Sequence, residues 1–281
     1  MNMTIREAWE NGRFRLTPTS PTPQLDARLL LEHILSVSHS QLVAHGNDPM
    51  PATSMAAYQA LLDRAGRAEP IPYLIGHAPF FEMDLAVSPA VLIPRPETEE
   101  LVTQAVMAGR HWAAPRLVEV GTGSGCIAIA LARKLPQAQI TAVDISPAAL
   151  AIAQQNASRY APNRITFVQG SLLEPVLGPF DLIIANLPYV ATAEWTELDD
   201  GVKLFEPRLA LDGGSDGLQL VRDMLRQAVG KLTDDGVVLL EVGWQQGTAV
   251  ATFAQTLFPT ASITLQPDFA GHERFVIVEK S

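Results

Sequence analysis

The sequence predicts an α/β fold: a mainly parallel sheet covered by helices on both faces, preceded by a small all-helical segment. Three observations predict it. From about residue 116 short apolar runs alternate with helical periodicities, and strands joined by helical crossovers run mainly parallel. One of these runs, 182–185, is apolar on both faces, as an inner strand must be. Finally, the 281 residues are 47% hydrophobic and 18% charged, a globular composition with room for a large domain and a smaller module.

Residues 1–75 read as helical. In the stretch 26–35, Ala27, Leu30, Leu31 and Ile34 recur at helical spacing, and in 52–66 Met55, Tyr58, Leu61 and Leu62 share a face. Pro21, Pro23, Gly46, Pro49 and Pro51 punctuate the segment. A bundle that only packs on its neighbour and one that grips a partner both fit this pattern. Residues 76–93 are short apolar runs broken by Gly and Pro, the pattern of a hairpin-like connector. The domain from 94 onward opens with a helix whose first turn is acidic, where the helix dipole favours carboxylates. Candidate strands follow at 117–120, 140–144, 165–169, 182–185, 237–242, 262–265 and 274–278, with helices at 126–135, 147–159 and 218–232.

Composition excludes several function classes. No apolar run approaches the ~20 residues that span a bilayer, and the first fifteen residues lack the apolar core of a signal peptide. A cytoplasmic protein without membrane contact is expected. The single cysteine, Cys126, forms neither an intramolecular disulfide nor a thiolate zinc site, and the six histidines are scattered, so no metal site is expected. Cys126 and the four tryptophans read as packing residues, and His272 as a surface loop residue. A net charge of −10, with no run of Lys and Arg, argues against nucleic acid as the main substrate.

Two strand tips carry ligand-ready chemistry. The first strand runs into Gly121, Thr122, Gly123, Ser124 and Gly125 and then a helix. Glycines allow a tight turn and close backbone approach by a ligand, and open α/β sheets bind ligands at this end of the strands. A tight turn without a ligand also fits. The spacing is G-x-G-x-G, not the dinucleotide fingerprint. Asp144 ends the next strand, before Ser146 and Pro147, a helix cap and first helical residue. A carboxylate there accepts both hydroxyls of a ribose, which suits NAD and S-adenosyl-L-methionine alike.

The third tip is Asn186-Leu-Pro-Tyr189. An amide nitrogen is a poor nucleophile because resonance occupies its lone pair. Acceptors for both of its N–H groups would orient that lone pair and stabilise the positive charge that grows on nitrogen. The Asn186 side-chain oxygen and the carbonyl of residue 187 are the candidate acceptors, and Tyr189 offers an aromatic face. A plain turn is the competing reading, since Asn and Pro are common turn formers.

The turn resembles the N-P-P-Y motif of amino-methyltransferases, and the wider chain resembles the PrmC (HemK) family, the release-factor glutamine methyltransferases. The resemblance spans Asp26-Ala-Arg-Leu-Leu-Leu31, Glu69-Pro-Ile-Pro-Tyr-Leu-Ile-Gly76, Val91-Leu-Ile-Pro-Arg-Pro-Glu-Thr-Glu99, Phe205-Glu-Pro-Arg-Leu-Ala-Leu211 and residues 241–247. It implies a class I, Rossmann-like, seven-stranded methyltransferase domain joined to the helical segment by a β-hairpin connector. It further implies S-adenosyl-L-methionine as cofactor, S-adenosyl-L-homocysteine as product, and a class 1 peptide chain release factor as protein substrate. The glutamine of that factor's Gly-Gly-Gln loop would be methylated on N5. Asn186, Pro188 and Tyr189 would be catalytic. Asn186, Leu187, Pro188 and Tyr189 would hold the substrate. The glycine turn, Asp144, Ser171, Leu172 and Asn186 would hold the cofactor.

The chain departs from the family pattern at three places. Residue 187 is Leu where Pro is usual, which keeps the carbonyl. Gly170-Ser171-Leu172 stands where an acidic residue often lies near the adenine, and Glu119 replaces a frequent Asp. A ribosomal-protein glutamine methyltransferase, an adenine N6-methyltransferase for DNA or RNA, and a binding module without turnover are the alternatives.

Overall fold

The computed structural model describes residues 3–280. They form two compact units, one made of the chain through His77 with Asp199–Phe205, the other of residues 78–198 and 206 onward.

The first unit contains α1 (Ile5–Leu16), α2 (Pro23–Leu35), α3 (His39–Ala44), α4 (Ala52–Ala65) and α5 (Ile71–Ile75). Thr4 and Ser38 close capping boxes on α1 and α3, two short helices that apolar spacing alone does not reveal. The core is Ala27, Leu30 and Leu31 of α2 packed on Leu16, Tyr58 and Leu62. The buried Tyr58 hydroxyl donates to the Ala27 carbonyl at 3.2 Å. A Cβ at Gly12 would lie 1.9 Å from that hydroxyl, so only glycine lets α1 approach so closely.

The chain enters the second unit within the hairpin β1 (His77–Phe80) and β2 (Met83–Ala86), which is followed by α6 (Pro96–Gly109). Then come β3 (Arg116–Val120), α7 (Cys126–Lys134), β4 (Gln139–Asp144), α8 (Pro147–Tyr160), β5 (Ile165–Gln169) and β6 (Phe180–Asn186). After α9 (Asp200–Phe205), which clusters with the first unit, the fold closes with α10 (Gln219–Ala228), β7 (Leu232–Glu241), α11 (Gly247–Leu257), β8 (Ser262–Pro267) and β9 (Glu273–Glu279). The sheet order is β5-β4-β3-β6-β7-β9-β8. The first five in this order are parallel, β9 runs antiparallel to β7, and β8 runs antiparallel to β9. The seven-stranded sheet, the helices on both faces and the hairpin agree with expectation. Phe80, Met83 and Leu85 of the hairpin enter the core of this unit, and Asn156 of α8 bonds both the amide and the carbonyl of Ala86 at 2.7 and 3.0 Å.

The helix expected over 218–232 is shorter. It ends at Ala228, ahead of Gly230, and Leu232 already pairs with Phe180 as the first residue of β7. Trp244, expected to pack, is instead 56% exposed against the His272 ring.

Side-chain alternation sorts the sheet into two faces. Leu117, Ala142, Leu182, Ile184, Val237 and Leu239 face a core shared with α6 and α7. Val118, Val143, Ile183, Val238 and Leu240 face the core shared with α10 and α11. Continuing the first rows by two residues brings Glu119, Asp144, Asn186 and Glu241 onto one face at the carboxyl ends of β3, β4, β6 and β7. Strand order reverses between β3 and β6, so these tips surround the crevice where open α/β sheets bind ligands.

Candidate active site

Between β3 and α7 the chain turns through Gly121, Gly123 and Gly125 with φ of 77°, 54° and 82°, values that strain any residue with a side chain. The amides of Gly121 and Thr122 donate to the Val143 carbonyl at 2.8 and 3.0 Å, which ties the turn to β4. A Cβ on Gly123 would meet nothing within 4 Å. The turn opens into a cavity of about 310 Å³. Gly121 through Ser124, Asp144, Ser171, Leu172, Asn186, Leu187 and Pro188 all reach its wall. Gly125 and Tyr189 do not: Gly125 packs on α8 at Ala153, and Tyr189 lies behind the turn, its carbonyl accepting from the Gln246 amide at 2.8 Å.

Asp144 already holds part of this wall. One carboxylate oxygen accepts from the Gly123 amide at 2.8 Å and the other from the Ser146 amide at 2.9 Å. Each oxygen keeps a further lone pair for a ligand. Leu172 adopts φ of 50° at the wall, a left-handed conformation that costs a residue of this type about 1–3 kcal/mol and recurs where ligands are clamped.

Glu119 is buried. One oxygen accepts from the Thr122 hydroxyl at 2.6 Å and the Ala128 amide at 3.0 Å, while the other has no hydrogen-bond partner among the described residues. Burial pushes its pKa up to about 8 against those two donors, and the Asp144 charge adds to the rise. An unpaired buried carboxylate oxygen at a cavity wall suits a cationic or N–H-bearing ligand. Cys126 is buried beside it, and burial together with the Glu119 charge pushes the thiol up to about 12, so it stays protonated.

The β6 tip is joined to two other segments. Asn186 Nδ2 donates to the Thr98 hydroxyl oxygen at 3.1 Å, and Thr98 donates to Glu241 Oε2 at 2.8 Å. Burial pushes the Glu241 carboxyl up to about 7, opposed by Thr98, Arg274 and Asn186 and reinforced by Glu97. No donor among the described residues reaches the Leu187 carbonyl. Leu187 itself is buried against Gly121.

The acidic start of α6 does more than answer a helix dipole. Glu99 accepts from the Phe81 amide at 2.6 Å and Glu100 from the Phe269 amide at 3.1 Å. Just upstream, Arg95 pairs with the buried Glu206, which also accepts from the Ile93 amide at 3.2 Å. The segment 91–100 thus ties together the hairpin, Glu206, β7 and the β8–β9 loop. Sequence reasoning missed Thr98, Glu206 and Glu241 as functional residues. Their segments stand out in the sequence, but no local spacing connects them.

The two buried carboxylates make stability pH-dependent. Both are raised above an unfolded value near 4.5, so the folded state holds protons that the unfolded state has lost. Their stabilising contribution is complete below pH 4.5 and disappears as pH rises through about 7 and about 8. The ligand-free protein should therefore lose on the order of a few kcal/mol between pH 5 and 8.5. Urea midpoints should fall over that range and fall less in Glu119→Gln. A midpoint that rises with pH would contradict the burial of these groups.

Among the described residues no group of side chains is arranged to hold a metal ion, and no helix is long and apolar enough to cross a membrane. Residues 7–76 match the PrmC N-terminal domain family, and residues 117–203 match a methyltransferase domain family. A release factor glutamine methyltransferase of Xylella fastidiosa (strain Temecula1) is 41% identical over 92% of this chain and 94% of its own. One of Moorella thermoacetica is 38% identical over 97% of both chains. Among solved structures, a methyltransferase from Pyrococcus furiosus superposes with a TM-score of 0.55 at 19% identity, covering 72% of this chain and 91% of that one, a likeness of fold.

Proposed function

Because the chain belongs to the release factor glutamine methyltransferase family, we propose that the β6 tip holds the glutamine amide while the glycine turn and Asp144 hold the methyl donor. The chain is an enzyme that methylates the side-chain amide of a release factor glutamine. The finer reading is N5 methylation, from S-adenosyl-L-methionine, of the glutamine in the Gly-Gly-Gln loop of class 1 release factors, in the cytoplasm. The observation that carries it is the Asn186-Leu187 tip, two amide acceptors beside a cavity with a glycine cradle.

The cavity residues suit S-adenosyl-L-methionine. The unpaired Glu119 oxygen answers a cationic amino-acid end, the open side of Gly123 accepts close approach, and Asp144 offers lone pairs to ribose hydroxyls. Ser171 and Leu172 flank the site for the base. When bound, the donor supplies an electrophilic methyl group. The protein has to hold and activate the nucleophile. Asn186 Oδ1 and the Leu187 carbonyl accept the two N–H groups of the glutamine amide, turn its lone pair toward the donor side, and stabilise the charge that grows on nitrogen. Pro188 biases Leu187 toward extended backbone, which aims that carbonyl. A strong base is unnecessary, because the nitrogen becomes acidic only as the methyl arrives.

One side chain in a cavity offers few contacts, whereas a standard protein interface buries about 800 Å² per partner. The helical first unit supplies part of that surface.

The test is mass spectrometry of the Gly-Gly-Gln peptide after purified protein is incubated with release factor and S-adenosyl-L-methionine. One methyl on the glutamine side chain is the expected product. Methyl transfer to DNA or tRNA instead would support the adenine reading.

A further inference from the structure

A side-chain amide has two ends of nearly equal size and opposite hydrogen-bonding character. Turned one way, Asn186 shows the substrate an acceptor. Turned by half a rotation, it shows a donor that opposes the substrate's own N–H groups. We infer that Thr98 and Glu241 are positioning residues that make this choice, holding Asn186 Nδ2 inward and leaving Oδ1 for the substrate amide. The inference rests on the reading of Asn186 as an acceptor.

The Asn186–Thr98–Glu241 chain permits one polarity. An ionised carboxylate has no proton to give, so Glu241 takes the single hydroxyl proton of Thr98. The Thr98 oxygen then offers only lone pairs to Asn186 and must receive its Nδ2–H. Backbone geometry fixes every member. Asn186 and Glu241 are register partners on β6 and β7. Thr98 is the third residue of α6, whose start is set by Pro96. Thr98 and Glu241 are 3% and 2% exposed, so water does not replace their bonds.

The charges around Glu241 complete the device. Arg274 on β9, anchored by Asp268 at 2.8 Å, favours the ionised form, as do the Thr98 and Asn186 donors. Burial and Glu97 on α6 oppose it, and Tyr189 lies alongside, its hydroxyl pKa raised by burial and then by the Glu241 charge. Protonation reverses the chain. The Glu241 acid then donates to Thr98, the Thr98 proton turns to Asn186 Oδ1, and Nδ2 faces the substrate.

Thr98→Val replaces the hydroxyl with a methyl of similar size, while Thr98→Ser keeps it. With intact release factor as substrate, kcat should fall about tenfold or more in Thr98→Val, part of the roughly 10²-fold expected for losing the acceptor outright. The cofactor dissociation constant should move less than about twofold, and Thr98→Ser should restore most of the rate. Equal losses in Val and Ser, or wild-type kcat in Val, overturn the inference. A second measurement stands apart from how well Thr98→Val folds. Wild-type kcat should drop as pH falls through about 7, and Glu241→Gln, which does not titrate, should lack that limb. An unchanged limb in Glu241→Gln, or none in the wild type, also overturns it. Asn186→Ala separates the two levels. If it is slow while Thr98→Val is fast, only the relay fails. If it turns over at the wild-type rate, the acceptor reading fails and the relay with it.

Discussion

Asn186→Ala should lower methyl transfer to release factor by roughly 10²–10³ while leaving the cofactor dissociation constant within a small factor. On the proposed reading, the truncation removes one of two acceptors aimed at a nitrogen that becomes cationic only during the reaction. Its cost therefore falls on kcat, not on ground-state binding. It also strands Thr98 and Glu241, buried groups that lose a partner, so thermal stability should be measured with the kinetics. Leu187→Pro is the informative comparison. The acceptor at 187 is a backbone carbonyl that no residue among those described engages, and proline keeps it. Proline gives up the buried Leu187 contact with Gly121, which should cost stability more than rate. Activity in Leu187→Pro and loss in Asn186→Ala is the expected order, measured by single-turnover transfer from labelled cofactor. The reverse order would assign the chemistry elsewhere.

Asp144→Ala should weaken cofactor binding by about 10- to 100-fold, from about 1.5–3 kcal/mol for hydrogen bonds to a charged acceptor. Two losses combine. On the proposed reading the ribose hydroxyls lose their acceptor, and the Gly123 and Ser146 amides lose the carboxylate that now holds the turn in shape. Asp144→Asn separates them, since its single carbonyl oxygen can serve one side but not both, and its affinity should fall between wild type and Ala. Calorimetry with S-adenosyl-L-homocysteine measures both variants. Unchanged affinity in folded Asp144→Ala would remove Asp144 from the site.

Much of this molecule is legible in the chain because the signals are local. Alternation over five to seven residues marks the strands, and a run of five residues spells the glycine turn. Ser146 and Pro147 announce the helix after Asp144. The same alternation carries apolar rows into Glu119, Asp144, Asn186 and Glu241, so their shared face follows once the strands are placed. Helix ends were less legible. The 218–232 periodicity runs past the true end of α10, because Leu232 is as apolar in a strand as it would be in a helix. The capping boxes of α1 and α3 were readable signals that apolar spacing overlooked.

By itself, then, the sequence determined the α/β architecture, the three strand tips and the chemistry each can offer, since each depends on neighbours a few residues away. Tertiary structure alone decided which groups those tips answer to. Thr98 meets Asn186 across 88 residues and Glu241 across 143, and Glu206 meets Ile93 across 113. No periodicity reaches so far, because such contacts depend on strand order and on where α6 enters the sheet. Burial is likewise a property of the folded whole. A glutamate in the sequence is an ordinary acid, whereas Glu119 and Glu241 become weak acids only when the core closes over them and withdraws water from their charge.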